Sequence, residues 1–152
     1  MIVYRVGSTK FSKDLTGEGA RLNGGRWNHI DTPCIYTSES RALAILEYSV
    51  NVNIDDIPRS LSITTIEIPD KEIQILSVSD LPGNWQESPA PTLTKDLGTK
   101  LLTINNSLTI KIPSAIIPGE YNFLLNPLHQ GSKNFKILDV TDFIYDVRIK
   151  SF

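Results

Sequence analysis

The stretch Cys34-Ile35-Tyr36-Thr37-Ser38-Glu39-Ser40-Arg41-Ala42-Leu43-Ala44-Ile45-Leu46-Glu47-Tyr48-Ser49-Val50 changes its period part-way along. Its opening Cys34–Thr37 is apolar with β-branched and aromatic members, which favours an extended strand. Thr37 or Ser38 then offers a hydroxyl to cap a helix over Glu39–Val50, whose first turn holds Glu39 and Ser40. At about 100° per residue, Ala42, Leu43, Leu46 and Val50 share one apolar arc, and Glu47 falls roughly 100° from its middle. A carboxylate there projects beside the core and needs a partner, such as a substrate hydroxyl or a cation. A solvated helix residue or a structural ion pair is the competing reading.

Short strand-like runs surround this unit. Ile2–Val6, Leu61–Ile68, Leu108–Ile112, Phe135–Leu138 and Phe143–Ile149 are the further strand candidates. In the last of these, Phe143, Tyr145, Val147 and Ile149 alternate with Ile144, Asp146 and Arg148, the pattern of a sheet with one face packed. A second helix is expected within Thr92–Ile104, its pattern interrupted by Gly98. Leu76–Pro91 carries three prolines and reads as an irregular surface excursion. No repeat, linker or low-complexity tract divides the chain, so residues 1–152 read as one α+β domain. A twisted, mostly antiparallel sheet with a few helices is its expected scaffold.

Composition narrows the function classes. The 152 residues are 40% hydrophobic, enough for one core that holds a small-ligand cleft rigid without metals or disulfides. Cys34 is the sole cysteine, which excludes an intrachain disulfide and reads as a buried structural thiol. A formal net charge of −2 argues against wholesale binding to a nucleic-acid backbone. The start Met1-Ile2-Val3-Tyr4-Arg5 lacks the profile of a signal peptide, and no apolar run is long enough for a bilayer span. The expected location is the cytoplasm.

The segment Gly17–Asn28 is the most informative for chemistry. Its four glycines suit sharp turns or close backbone approach to a ligand. Arg21 and Arg26 add guanidinium forks suited to phosphates or carboxylates, and Trp27 a rigid ring. The spacing is neither that of a P-loop nor that of a dinucleotide fingerprint. Tyr36 is a strand-end ring with either a packing or a functional role. Ser114, after Ile112-Pro113, is a turn or cap hydroxyl outside any nucleophile elbow. Asn126 either holds the turn before Pro127 or donates to a ligand. His29 and His129 lack metal-ligand spacing, so no metal site is expected.

Taken in order, these pieces resemble the RES domain, a family named for an arginine, a glutamate and a serine. The resemblance runs from Tyr4-Arg5 to Asp146-Val147-Arg148. Its strongest part is Gly24-Gly25-Arg26-Trp27-Asn28, followed by Ile35-Tyr36-Thr37-Ser38, Ala42-Leu43-Ala44-Ile45-Leu46-Glu47, Pro113–Pro118 and Asn122–Pro127. Two departures stand out: Val50-Asn51 where the family often has a histidine, and Gly98-Thr99-Lys100-Leu101 where it often has a tryptophan.

The resemblance implies a fold similar to ADP-ribosyltransferase toxins and a toxin that cleaves NAD⁺ at its nicotinamide–ribose bond. NAD⁺ is then a consumed substrate, not a resident cofactor, and the acceptor is water or inorganic phosphate. The family's arginine, glutamate and serine fall on Arg26, Glu47 and Ser114, and its active-site tyrosine on Tyr36. Arg5, Arg21 and Asn126 match other recurrent polar positions, with Trp27 beside them in the substrate-binding set. A macromolecular ADP-ribosyltransferase and a catalytically silent protein-binding domain are the alternatives. The implied partner is a cognate antitoxin with a helix-turn-helix part, with no direct nucleic-acid contact by this chain; a homodimer within that complex is left open.

Overall fold

The computed structural model describes residues 1–150, so the last two positions of the expected domain lie outside it. Seven strands form one sheet: β1 (Ile2–Ser8), β2 (Ile35–Ser38), β3 (Leu61–Glu67), β4 (Ile73–Ile75), β5 (Thr109–Pro113), β6 (Tyr121–Leu125) and β7 (Lys136–Phe143). Their order is β4-β5-β6-β2-β1-β3-β7, antiparallel throughout except for the parallel β4–β5 pair. Three α-helices accompany it: α1 (Glu18–Asn23), α2 (Arg41–Asn51) and α3 (Thr92–Thr103). The α+β class and the mostly antiparallel sheet expected from the sequence are what the fold shows.

Alternation along the central strands supplies two cores. Ile110, Ile112 and Leu124 join Trp27, Trp85, Leu101 and Leu102 on one face, under α3. On the other, Ile35, Phe123 and Leu125 meet Val3, Ile66 and Phe135. The centre of the sheet is therefore buried on both faces. Two facing packed layers make it a rigid platform.

Several local expectations are corrected. Phe143–Ile149 is not a strand: β7 ends at Phe143, and Val147–Ile149 form a 3₁₀ turn. Val147 is 58% and Ile149 43% exposed, so the expected packed face there has no second layer to cover it. The real edge strand lies earlier and pairs with β3 from Phe143 back to Lys136, around an irregularity at Thr65/Ile66. Tyr121–Leu125, which is not among the strand candidates, is the strand β6, paired with β2 and β5. Within the Gly-rich segment sits the short helix α1, bracketed by Gly17 and Gly24 at φ of 72° and 69°, a left-handed geometry that suits glycine.

The cap of α2 is neither Thr37 nor Ser38, which remain in β2, but Ser40, whose Oγ accepts from Leu43 N at 3.1 Å. The helix is also rotated from its predicted arc. Leu43 and Ala44 are buried against the sheet, while Ala42 is exposed, as are Leu46 at 37% and Val50 at 54%. At about 100° per residue, Glu47 lies between Leu43 and Ala44 on the inward face, not at its edge.

Gly98 positions α3. A methyl group there would sit 1.9 Å from the carbonyl oxygen of Trp27, a backbone atom that cannot swing aside. Gly98→Ala is expected to destabilise the fold by about 1–3 kcal/mol through overpacking. Thermal unfolding should show a Tm several degrees lower; an unchanged Tm would mean that α3 does not depend on this close approach.

Candidate active site

A cleft of about 530 Å³ opens beside the sheet. It lies where β1 and β2 meet, and these two strands share only one registered pair, Tyr4↔Ser38. By contrast, β1 and β3 pair along seven positions from Ile2 to Ser8. The residues flanking that lone pair, Tyr4–Val6 and Tyr36–Ser38, form one wall, and α2 supplies Glu47, Tyr48 and Asn51. The Gly24–Trp27 loop and Asn122 complete the part that matters for chemistry.

Tyr36 organises the loop. Its phenol donates to Asn28 Oδ1 at 2.6 Å and accepts from Trp27 N at 3.0 Å. Asn28 is fully buried, and its Nδ2 donates to the carbonyls of Ala20, His29 and Thr32. A Cβ at position 25 would lie 2.6 Å from the Tyr36 oxygen, so only glycine lets the phenol reach the loop. Burial raises the phenol well above its usual pKa, so it stays protonated and keeps this donor role. With its hydroxyl committed, Tyr36 offers the cleft its ring.

Arg26 projects from the same loop. Its Nη1 donates to the carbonyls of Trp85 at 2.8 Å and Glu87 at 2.7 Å. Among the described residues, Nη2 and Nε have no partner, which leaves a side of the guanidinium to meet an anion. Trp27 lines the cleft while remaining 4% exposed, its ring 6.5 Å from that of Trp85. The tryptophan is thus largely core, and it anchors the loop on which Arg26 stands.

Glu47 receives two hydrogen bonds on the same oxygen. Ser114 Oγ donates to Oε1 at 2.7 Å and Asn122 Nδ2 at 2.6 Å. Ser114 is in turn fixed by the amides of Ile116 and Ile117, which donate to its oxygen at 3.2 and 3.1 Å. The serine is 3% exposed and its lone proton goes to Glu47, so its geometry is that of a support and not of a nucleophile. Among the described residues, Oε2 of Glu47 has no donor, and it is the oxygen free to face a ligand.

The cleft therefore brings Arg26, Trp27, Tyr36 and Glu47 together, with Ser114 bonded to the last. Arg5 also lines it, but its Nη1 and Nη2 donate to the carbonyls of Asp14 and Ser12 and hold that turn. Arg21 is not brought to the cleft. It lies on the outer side of α1, paired with Glu18 at 2.7 Å and Asp31 at 3.4 Å, an i,i+3 partnership on an exposed face. Asn126 is also elsewhere: buried, it donates to the carbonyls of Leu102 and Ser107 and accepts from Leu128 N, closing the turn after β6.

Cys34 is buried, and burial pushes its thiol pKa upward, away from nucleophilic use. His29 pairs with Asp96 on the surface, and His129 Nδ1 accepts from Gly131 N. Sequence reasoning missed Asn122, Ser38 and Asn28. The available signal was the alternation of β6, which sets Asn122 opposite Ser38 across the β2–β6 ladder.

The RES domain family model matches residues 2–146. Among curated relatives, a Toxin Res of Yersinia enterocolitica is 36% identical over 99% of this chain and 100% of its own length. A Toxin Res of Photorhabdus laumondii is 35% identical over 91% and 92%. The Prs ADP-ribosylating toxin of Sphingobium sp. is 34% identical over 90% of this chain and 86% of its own. The solved MbcT-MbcA toxin-antitoxin complex of M. tuberculosis contains a chain of the same fold, at a TM-score of 0.73 and 17% identity, covering 94% of this chain and 84% of that one. With its match running nearly end to end, and with the arginine and glutamate at one cleft and the serine bonded to that glutamate, this chain belongs to the RES domain family.

Proposed function

We propose that this protein is a toxin that cleaves NAD⁺ at the bond between nicotinamide and ribose. The observation that carries the reading is the Glu47 carboxylate, held on one oxygen by Ser114 and Asn122 and open on the other, in a cleft with Arg26 and the Tyr36 ring. Cleavage of a cationic pyridinium releases neutral nicotinamide, which takes the bonding electron pair, while positive charge grows on the ribose. A fixed carboxylate is suited to that charge because it needs no reorganisation as the charge appears.

The remaining groups bind and orient. The open side of Arg26 meets the pyrophosphate through charged, directional hydrogen bonds. The Tyr36 ring packs against the nicotinamide and sets it relative to the ribose. An acceptor oxygen then bonds to the anomeric carbon: water yields ADP-ribose and a proton, and inorganic phosphate yields ADP-ribose 1″-phosphate. A macromolecular acceptor is the second reading, favoured by the relative named as an ADP-ribosylating toxin. The toxin names and the toxin–antitoxin complex support a cognate antitoxin as partner, and the proposed site of action is the cytoplasm. Among the described residues no helix is long and apolar enough to cross a membrane.

The test is turnover of adenine-labelled NAD⁺ by the purified chain, with and without phosphate and a macromolecular extract. Free ADP-ribose, its phosphate or a retained label identifies the acceptor, and intact NAD⁺ in every condition rejects the reading. Glu47→Gln is expected to lower kcat by roughly 10²–10³-fold with NAD⁺ binding retained; near-normal turnover would remove the carboxylate from the reaction. Arg26→Ala is expected to weaken NAD⁺ binding about ten- to a hundredfold in a direct titration. Unchanged binding would reject the phosphate contact.

A further inference from the structure

Glu47 is supported by the family's serine and also by an amide from the neighbouring strand. Asn122 lies in β6 and lines the cleft, and its Nδ2 donates to Glu47 Oε1 at 2.6 Å. The amide's other end is also engaged: Ser38 Oγ donates to Asn122 Oδ1 at 2.7 Å. Ser38 is 3% exposed and sits directly opposite Asn122 in the β2–β6 register. A hydroxyl that donates to Oδ1 makes that atom the acceptor and turns Nδ2 toward the carboxylate. The side chain can therefore present only a donor to Glu47.

We propose that Asn122 is a positioning residue for the reaction, oriented by Ser38 and acting through Glu47. Two donors converge on Oε1 from different elements, Ser114 after β5 and Asn122 in β6. One donor leaves a carboxylate free to rotate about its last torsion, a broad and soft one. Two donors fix its plane and direct Oε2 toward the ligand. The relay ties the orientation of a helix residue to the pairing of two central strands, which are among the most rigid parts of the fold. This inference rests on the NAD⁺-cleaving reading for its effect on rate, and on the hydrogen-bond geometry alone for the relay itself.

The test compares Asn122→Ala, Ser38→Ala and Glu47→Gln with their pairwise combinations, each checked for an unaltered unfolding transition. Asn122→Ala is expected to lower kcat roughly ten- to a hundredfold, the scale of a hydrogen bond to a charged group, with KM within about twofold. Added to Glu47→Gln, it should cause little further loss, because both changes disable the same group. An undiminished loss in that background, or a rise in KM with kcat preserved, would overturn the proposal by showing that Asn122 meets the substrate directly.

A second measurement separates this failure from failure of the reaction reading. In the 152-residue chain, the ¹H–¹⁵N signals of the Asn122 side-chain amide should be shifted and slow to exchange. They should move to solvent-like values in Glu47→Ala and become mobile in Ser38→Ala. Solvent-like signals in the wild-type chain overturn the relay, whether or not NAD⁺ is consumed. Inactive wild-type protein with the shifted signals overturns the reaction while sustaining the relay.

Discussion

The phenol of Tyr36, bonded between the amide of Trp27 and the side chain of Asn28, is the constraint on which the cleft depends. A buried polar group without partners costs free energy, so a buried asparagine that contacts three carbonyls and a phenol holds those four groups in one arrangement. The Gly25–Asn28 turn cannot shift without breaking several of these bonds at once. Arg26 lies between Gly25, whose amide donates to the Asn28 carbonyl at 3.1 Å, and Trp27, whose amide donates to the phenol, and its direction is inherited from them. The tyrosine thereby joins strand β2 to a loop that is otherwise glycine-rich and entropically free.

On the opposite wall the same logic is applied to a charge. Glu47 sits on the inward face of α2, between the buried Leu43 and Ala44, where an unpaired carboxylate would be strongly unfavourable. Ser114, just after β5, and Asn122, in β6, supply the donors, so the helix is drawn toward the sheet by polar contacts as well as by Leu43. This explains why Leu46 and Val50, the more apolar choice for an inward face, are left exposed. The free energy of satisfying the carboxylate and packing Leu43 and Ala44 outweighs the burial of two further aliphatic groups, each worth about 1.5–3 kcal/mol if fully buried.

Between these walls the sheet is deliberately incomplete. The ladder of β1 and β2 holds a single pair, while its neighbours are fully zipped on both sides. Residues of both strands line the same space there. Arg5 shows the structural side of this opening: its guanidinium, placed at the gap, bonds the carbonyls of Ser12 and Asp14 and closes the turn beneath it. The cleft is thus a property of the sheet's topology and not of a mobile loop.

The sequence by itself determined the α+β class, the helices near Arg41–Asn51 and Thr92–Thr103 and most strands, because local period and β-branched runs act over a few residues. It also singled out Arg26, Tyr36, Glu47 and Ser114, through the ordered motifs of the family resemblance. Tertiary structure alone decided which of the polar residues meet. Arg21 and Asn126 carry the same chemistry as Arg26 and Asn122, yet one is paired outside α1 and the other closes a turn. Ser38 and Asn122 are 84 residues apart and become partners only through the β2–β6 register. The rotation of α2 is of the same kind: hydropathy ranks faces by apolar area, whereas the inward face is chosen by hydrogen-bond partners that lie far away in the chain.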